Sequence, residues 1–198
     1  MKSTSNYQKH TTNNPLQRFL IENFYNNLIS ILSDLDLDSI LDVACGEGFT
    51  LAKLQKNRIG RKLEGVDFSR DAIRIGREMF PTLSLNHGNI YNLPYKKGSF
   101  DLVICTEVLE HLENPNKALK EISRATKKYL LLSVPNEPLF RLANFFRGKN
   151  LSRFGNDIEH IQHWSSNSFI NFLKKQKIKI LSTKTPFPWT IVLGEIIT

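Results

Sequence analysis

Residues 40–48 read Ile40-Leu41-Asp42-Val43-Ala44-Cys45-Gly46-Glu47-Gly48. The run Ile40–Val43 is strand-like, and a helical pattern through Leu51-Ala52-Lys53-Leu54 follows within a few residues. A strand that passes to a helix through a glycine-bearing turn is the building unit of an α/β sheet. Gly46 and Gly48 allow backbone to approach a ligand where a side chain would collide. The helix beyond them presents unpaired N–H groups at its first turn. Ligands of open α/β sheets gather at the carboxyl ends of strands beside such turns, so a binding site is expected here.

The same grammar extends in both directions. Leu63-Glu64-Gly65-Val66 reads as a second strand, and Ser69 caps a helix from Arg70 to about Met79 that Pro81 closes. Leu83-Ser84-Leu85 is a short third strand. Phe100–Cys105 is a fourth, and its apolar continuity from Leu102 implies burial on both faces. A helix around Asn116–Arg124 leads to a fifth strand, Tyr129–Val134. Residues 135–165 are irregular and aromatic-rich, and a helix near Ser166–Lys174 follows. Ile178–Ser182 and Thr190–Ile196 then form a closing hairpin around Thr185-Pro186-Phe187-Pro188-Trp189. Upstream, Asn14-Pro15 is a helix-start signal. Leu16, Phe19, Leu20, Phe24, Leu28, Ile31 and Leu32 recur at three-to-four spacing, predicting an N-terminal helix over 14–33. Residues 1–13 are polar and expected to be mobile. Strands alternating with helices imply a mostly parallel, three-layer sheet, and a last strand returning through a short connection runs antiparallel.

With 198 residues, 40% apolar and 23% charged, the chain suits one soluble domain spanning 1–198. No run approaches the ~20 apolar residues of a membrane span. The start, Met1-Lys2-Ser3-Thr4-Ser5-Asn6, has no apolar signal core. Cys45 and Cys105 make neither a disulfide framework nor a zinc site, so a cytoplasmic location is expected. A net charge of +8 suits nucleic acid, an anionic lipid surface or a phosphorylated substrate, and equally a set of solvated lysine faces.

A dinucleotide fingerprint would need glycines at 44, 46 and 49, where the chain has Ala44, Gly46 and Phe49, so NAD is disfavoured. Asp67, closing the second strand about twenty residues after the glycine turn, is placed to accept hydrogen bonds from ribose hydroxyls. Phe68 offers apolar surface beside an adenine. After the third strand, Asn89 is positioned to pair with an adenine amino group and Ile90 to cover the ring.

Four ordered stretches now stand out: L-D-V-A-C-G-E-G at 41–48, G-V-D-F-S at 65–69, G-N-I-Y-N-L-P-Y at 88–95, and F-D-L-V-I-C-T-E-V-L-E-H-L at 100–112. Their order and spacing resemble the class I methyltransferases of the type-11 group over about residues 40–135. The resemblance implies a Rossmann-like three-layer α/β/α sandwich of seven strands with an antiparallel last one, in accord with the seven strand-like runs above. It implies S-adenosyl-L-methionine as cofactor. Asp42, Ala44, Gly46 and Gly48 would border the methionine moiety, Asp67 the ribose, and Phe68, Asn89 and Ile90 the adenine. The backbone near Thr106 would take the methionine ammonium. Ala44 stands where the family usually has glycine, which implies reduced clearance.

The implied chemistry is in-line methyl transfer to a nucleophile, in which positioning and desolvation supply much of the acceleration. A base is needed when the acceptor must lose a proton, and histidine suits that near neutral pH. Glu107, His111, His160 and His163 are the candidates, with Glu110 beside them. A helix after strand four would set Glu107, Glu110 and His111 on one face. The pattern E-V-L-E-H-L with a later E-H-I-Q-H-W is also similar to the metal site of small-RNA 2′-O-methyltransferases, so a divalent cation held by Glu107, Glu110 and His111, joined by His160, is an open alternative. Ubiquinone-type O-methyltransferases are similar around E-V-L-E-H.

Residues 135–165 read as a lid-like insertion. Leu139, Phe140, Leu142, Ala143, Phe145 and Phe146 alternate with Arg141, Arg147, Lys149 and Arg153. Such a segment suits an amphipathic or anionic acceptor and peripheral membrane contact, and equally a helix capping the sheet edge. No RNA-reading module is recognisable, so nucleic acid is not the expected partner. The leading expectation is O-methylation of a small-molecule or lipid- or quinone-like acceptor. The alternatives are a metal-dependent RNA ribose 2′-O-methyltransferase and a non-catalytic cofactor-binding partner protein. Oligomeric state has no sequence signature here.

Overall fold

Ser39–Val43, the first strand (β1), sits in the middle of the sheet because both its faces are apolar and both its edges are paired. It runs parallel to β2 (Lys62–Asp67) on one side and to β4 (Phe100–Thr106) on the other. β3 (Ser84–His87) adds beyond β2 and β5 (Thr126–Pro135) beyond β4, both parallel. β7 (Trp189–Ile196) lies antiparallel between β5 and β6 (Ile178–Lys184). The order is therefore β3-β2-β1-β4-β5-β7-β6. In this computed structural model residues 4–137, 139–140 and 160–197 are described.

Period-two alternation sends successive side chains to opposite layers. Ile40, Leu102, Ile104 and Leu131 face one layer, with Leu28 and Leu32 of α2 (Pro15–Leu32) and Leu51 and Leu54 of α3 (Phe49–Lys56). Ile73 of α4 (Arg70–Met79) joins them. Leu41, Val43, Val103 and Leu130 face the other, against Leu119 and Ile122 of α5 (Pro115–Ala125) and Phe169 and Leu173 of α6 (Ser166–Lys175). The chain winds outward from β1 in one direction and restarts at β4 in the other. The carboxyl ends of β1 and β4 thus flank the switch point where a crevice opens.

Three expectations need correction. Residues 1–13 are not featureless, because Ser5–His10 form a helix, α1. Thr4 caps it by accepting from the Tyr7 N–H at 3.0 Å. The Thr4 hydroxyl and the Asn6 side-chain amide both donate to the buried Glu47 carboxylate. A tertiary anchor of this kind leaves no periodic trace in the sequence. The third strand begins at Ser84, with Leu83 buried just before it. After β4 there is no helix presenting one solvated face. A single 3₁₀ turn, Leu109–His111, buries Glu110 and leaves His111 outward.

Of the insertion at 135–165, Glu137, Leu139 and Phe140 are helical. Arg141, Leu142, Ala143, Phe145, Phe146, Arg147, Lys149 and Arg153 lie outside the described residues. Among the described residues no helix is long and apolar enough to cross a membrane.

Candidate active site

A cavity of about 530 Å³ opens at the carboxyl ends of β1 and β4. The glycine turn forms its floor, α1 and α2 one wall, and the segment after β4 with the start of β7 the other.

The turn that supplies the floor is built from left-handed backbone. Ala44, Gly46 and Gly48 all have positive φ, at 59°, 55° and 86°. Two of them are glycine, for which this region carries no Cβ penalty. Ala44 does carry a methyl, and it lines the cavity. Left-handed backbone costs a non-glycine residue about 1 kcal/mol. Ala44→Gly is therefore expected to raise the melting temperature, and a lower one would contradict this account of the turn. Gly46 also lines the cavity, and a Cβ there would lie 2.6 Å from the Asn6 amide. Gly48 is different. Its missing Cβ faces Leu85 at 3.1 Å, so it serves the packing of α3 on β3 and does not line the cavity.

Asp67 ends β2 and ties two turns together. One carboxylate oxygen accepts from the Gly46 N–H at 2.8 Å and the other from the Ser69 N–H at 2.7 Å. Charge-assisted bonds of this kind are among the stronger ones. Asp42 is buried beneath the turn, and burial pushes its carboxyl well above the usual range, with Asp67 adding to the effect. Burial also pushes the Cys45 and Cys105 thiols up. Both stay protonated, so neither is a thiolate nucleophile.

The opposite wall carries the candidate acid–base groups. Glu107 follows β4 with φ 60°, donates its N–H to the Ser133 carbonyl and accepts the Ser133 hydroxyl at 2.9 Å. Burial raises its pKa, and Lys9 opposes that shift. Glu110 is buried, and neither carboxylate oxygen has a hydrogen-bond partner among the described residues. Burial holds it well above the ordinary range, Glu107 adding repulsion. The Ile161 and Gln162 N–H groups donate to the Glu110 carbonyl at 2.8 and 2.9 Å, returning the later segment to the site. His160 is buried, its Nδ1 2.5 Å from Glu137 Oε1.

Thr106, Glu107, His111 and His160 thus all line the cavity, as do Asp42, Ala44, Gly46 and Asp67. Other expected residues stand outside its wall. His163 is 44% exposed, 3.7 Å from the same Glu137 oxygen, and does not line the cavity. Phe68 is 74% exposed beside His87, at 6.0 Å between rings. Asn89 uses its side-chain oxygen on the Tyr91 N–H at 2.9 Å, and Ile90 packs against the core.

Glu110, His111 and His160 each bring one ligand atom within 4.8 Å of the others, and Glu107 is not part of that cluster. An oxygen–nitrogen–nitrogen set with one carboxylate left without hydrogen bonds suits a divalent cation. Glu137, holding the His160 ring from behind, has the geometry of an outer carboxylate that orients a histidine ligand. The chain's own residues therefore fit a metal here.

Sequence reasoning missed Asn6, Lys9, Trp189 and Glu137, all at or behind the cavity wall. The available signal for α1 was Glu47, because a carboxylate between two glycines of a buried turn needs donors from elsewhere.

Residues 41–131 match the family described as "Methyltransferase domain". The demethylmenaquinone methyltransferase of Alkalihalophilus pseudofirmus is 35% identical over 120 residues, covering 55% of this chain and 51% of that protein. That of Staphylococcus epidermidis is 30% identical over 169 residues, 77% of this chain and 68% of that one. The mitochondrial ubiquinone biosynthesis O-methyltransferase of Saccharomyces cerevisiae is 32% identical over 122 residues, 57% of this chain and 39% of that one. The chain thus spans about half or less of the length of the first and third of these proteins. In fold it is similar to the magnesium protoporphyrin IX methyltransferase of Synechocystis with bound S-adenosylhomocysteine, at a TM-score of 0.70 and 15% identity over 96% of this chain and 92% of that one. With the glycine turn, Asp67 and the β4 end arranged around one cavity, the chain belongs to the S-adenosylmethionine-dependent class I methyltransferases of the type-11 group.

Proposed function

We propose that this protein transfers a methyl group from S-adenosylmethionine to a hydroxyl oxygen of a small, quinone-like aromatic acceptor. The observation that carries this reading is the composition of the cavity wall. Asp42, Ala44, Gly46 and Asp67 line the same space as Phe24, Phe140 and Trp189, and Glu107 and His160 line it too. Aromatic walls with a few converging polar groups are typical of sites for small ring-containing ligands. The bound cofactor supplies an electrophilic methyl group. The protein's part is to hold the acceptor in line, exclude water and receive a proton at the Glu107 carboxylate or the His160 ring. The names of the demethylmenaquinone and ubiquinone-pathway relatives support a quinone-like acceptor. Incubation with S-adenosylmethionine and a reduced, hydroxylated naphthoquinone, followed by mass spectrometry, is expected to yield a product one methyl heavier on oxygen. A product methylated on ring carbon would overturn the oxygen assignment, and no product from any quinol would overturn the acceptor class.

A second reading is favoured by the Glu110–His111–His160 cluster. In it a divalent cation held there binds vicinal hydroxyls, such as those of a terminal ribose, and the acceptor is a 2′-hydroxyl. Turnover that survives a chelator undiminished retires this reading. Cytoplasmic action is part of the same proposal and is tested by fractionating cells that express the protein.

A further inference from the structure

The charges around the cavity are unevenly distributed. Among its described lining residues Asp42, Asp67, Glu107 and Glu110 are acidic, and Lys9 is the one lysine or arginine. No carboxylate among the described residues forms an ion pair with Lys9. Its ammonium lies 5.4 Å from the centre of the Trp189 ring, and Phe24 packs edge-on against that ring at 5.3 Å. Trp189 pairs with Pro135 at the carboxyl end of β5, on the side of the cavity away from the glycine turn. The helix that carries Lys9 is held in place by Thr4 and Asn6 on Glu47. His10, next in the chain, stacks on Phe49 at 4.4 Å, and burial lowers its pKa to about 3, so it stays neutral beside Lys9. Glu107 and Glu110 face Lys9 from the segment after β4.

We infer that Lys9 is an acceptor-binding residue that holds the ionised ring oxygen of the methyl acceptor above Trp189. The inference rests on the quinol reading above. A cation with no ion-pair partner among the described residues, set on an aromatic surface where the other charged lining residues described are acidic, is complementary to a flat ring carrying an oxyanion. An opposite charge within about 4–6 Å lowers the pKa of a hydroxyl. The hydroxyl then gives its proton to the Glu107 carboxylate or the His160 ring before transfer. The oxygen lone pair forms the new O–C bond, the S–C bond breaks with its electrons going to sulfur, and the sulfonium and the oxyanion are neutralised together.

The test uses 1-naphthol, a non-chelating bicyclic phenol whose ionisation is read by absorbance, with the full-length protein saturated with S-adenosylhomocysteine. The bound naphthol of the wild type is expected to ionise about one to three pH units below free naphthol. Lys9→Met keeps the apolar stem over Trp189 and is expected to abolish that shift, with the S-adenosylhomocysteine Kd unchanged within about twofold. Lys9→Arg is expected to restore it. Thermal melts of both variants confirm that α1 stays docked. A wild-type protein that binds naphthol without a shift, or not at all, overturns the inference. So does a Lys9→Met variant that weakens S-adenosylhomocysteine about tenfold and leaves the naphthol titration intact, because Lys9 would then serve the cofactor carboxylate. Failure of the quinol reading is seen separately, as a naphthol shift that persists while no quinol is methylated.

Discussion

Replacing Asp67 by alanine is expected to weaken S-adenosylmethionine binding by about 1–3 kcal/mol, the range for a buried hydrogen-bonding group left unmade. The wild-type carboxylate accepts from both the Gly46 and the Ser69 N–H, and its remaining lone pairs face the cavity. The substitution removes the proposed ribose acceptor and also loosens the glycine turn that Asp67 holds through the Gly46 N–H. Asp67→Asn separates the two effects. It leaves one oxygen for the backbone donors and loses the charge, so it is expected to lie between wild type and Asp67→Ala. Calorimetry reads both. Affinity unchanged in Asp67→Ala would remove Asp67 from the cofactor site.

Glu110→Gln carries the second large effect, and its sign depends on pH. The folded-state pKa of Glu110 lies above its unfolded value. Stability from this group is therefore complete below about pH 4.5 and is lost as pH rises toward the folded pKa. A neutral amide in its place has no such loss. Because the amide cannot ionise in this buried position, the variant is expected to melt higher than wild type at pH 8 and to converge with it in acid. The same pair probes the cluster with His111 and His160. If that cluster holds a cation, added manganese raises the wild-type melting temperature and leaves Glu110→Gln unmoved. A variant less stable than wild type at every pH would show that the carboxylate is satisfied in the folded protein.

The sheet was legible because burial on two faces leaves a strong mark. Ile40–Val43, Phe100–Cys105 and Leu130–Val134 are mostly apolar runs, each interrupted by one polar residue, and the Gly46–Gly48 turn announces the strand–helix junction after the first. The floor of the site was legible for the same local reason. Asp42, Ala44, Gly46 and Asp67 sit at strand ends, where topology alone brings them together. What escaped depends on contacts between distant segments. Thr4 and Asn6 reach Glu47 across more than forty positions, and Glu137 reaches His160 across twenty-three. Glu110 and His111 differ in burial because a 3₁₀ turn replaces the expected helix, yet their side chains stay 3.8 Å apart beside His160. Phe68, expected to offer apolar surface beside an adenine, is 74% exposed.

Calorimetric titration of the wild-type protein with S-adenosylhomocysteine tests the central claim most directly. One-to-one saturable binding, lost or sharply weakened in Asp67→Ala, is the predicted result. Absence of heat at any ligand concentration, with or without magnesium or manganese, would contradict it and leave the cavity to a different ligand.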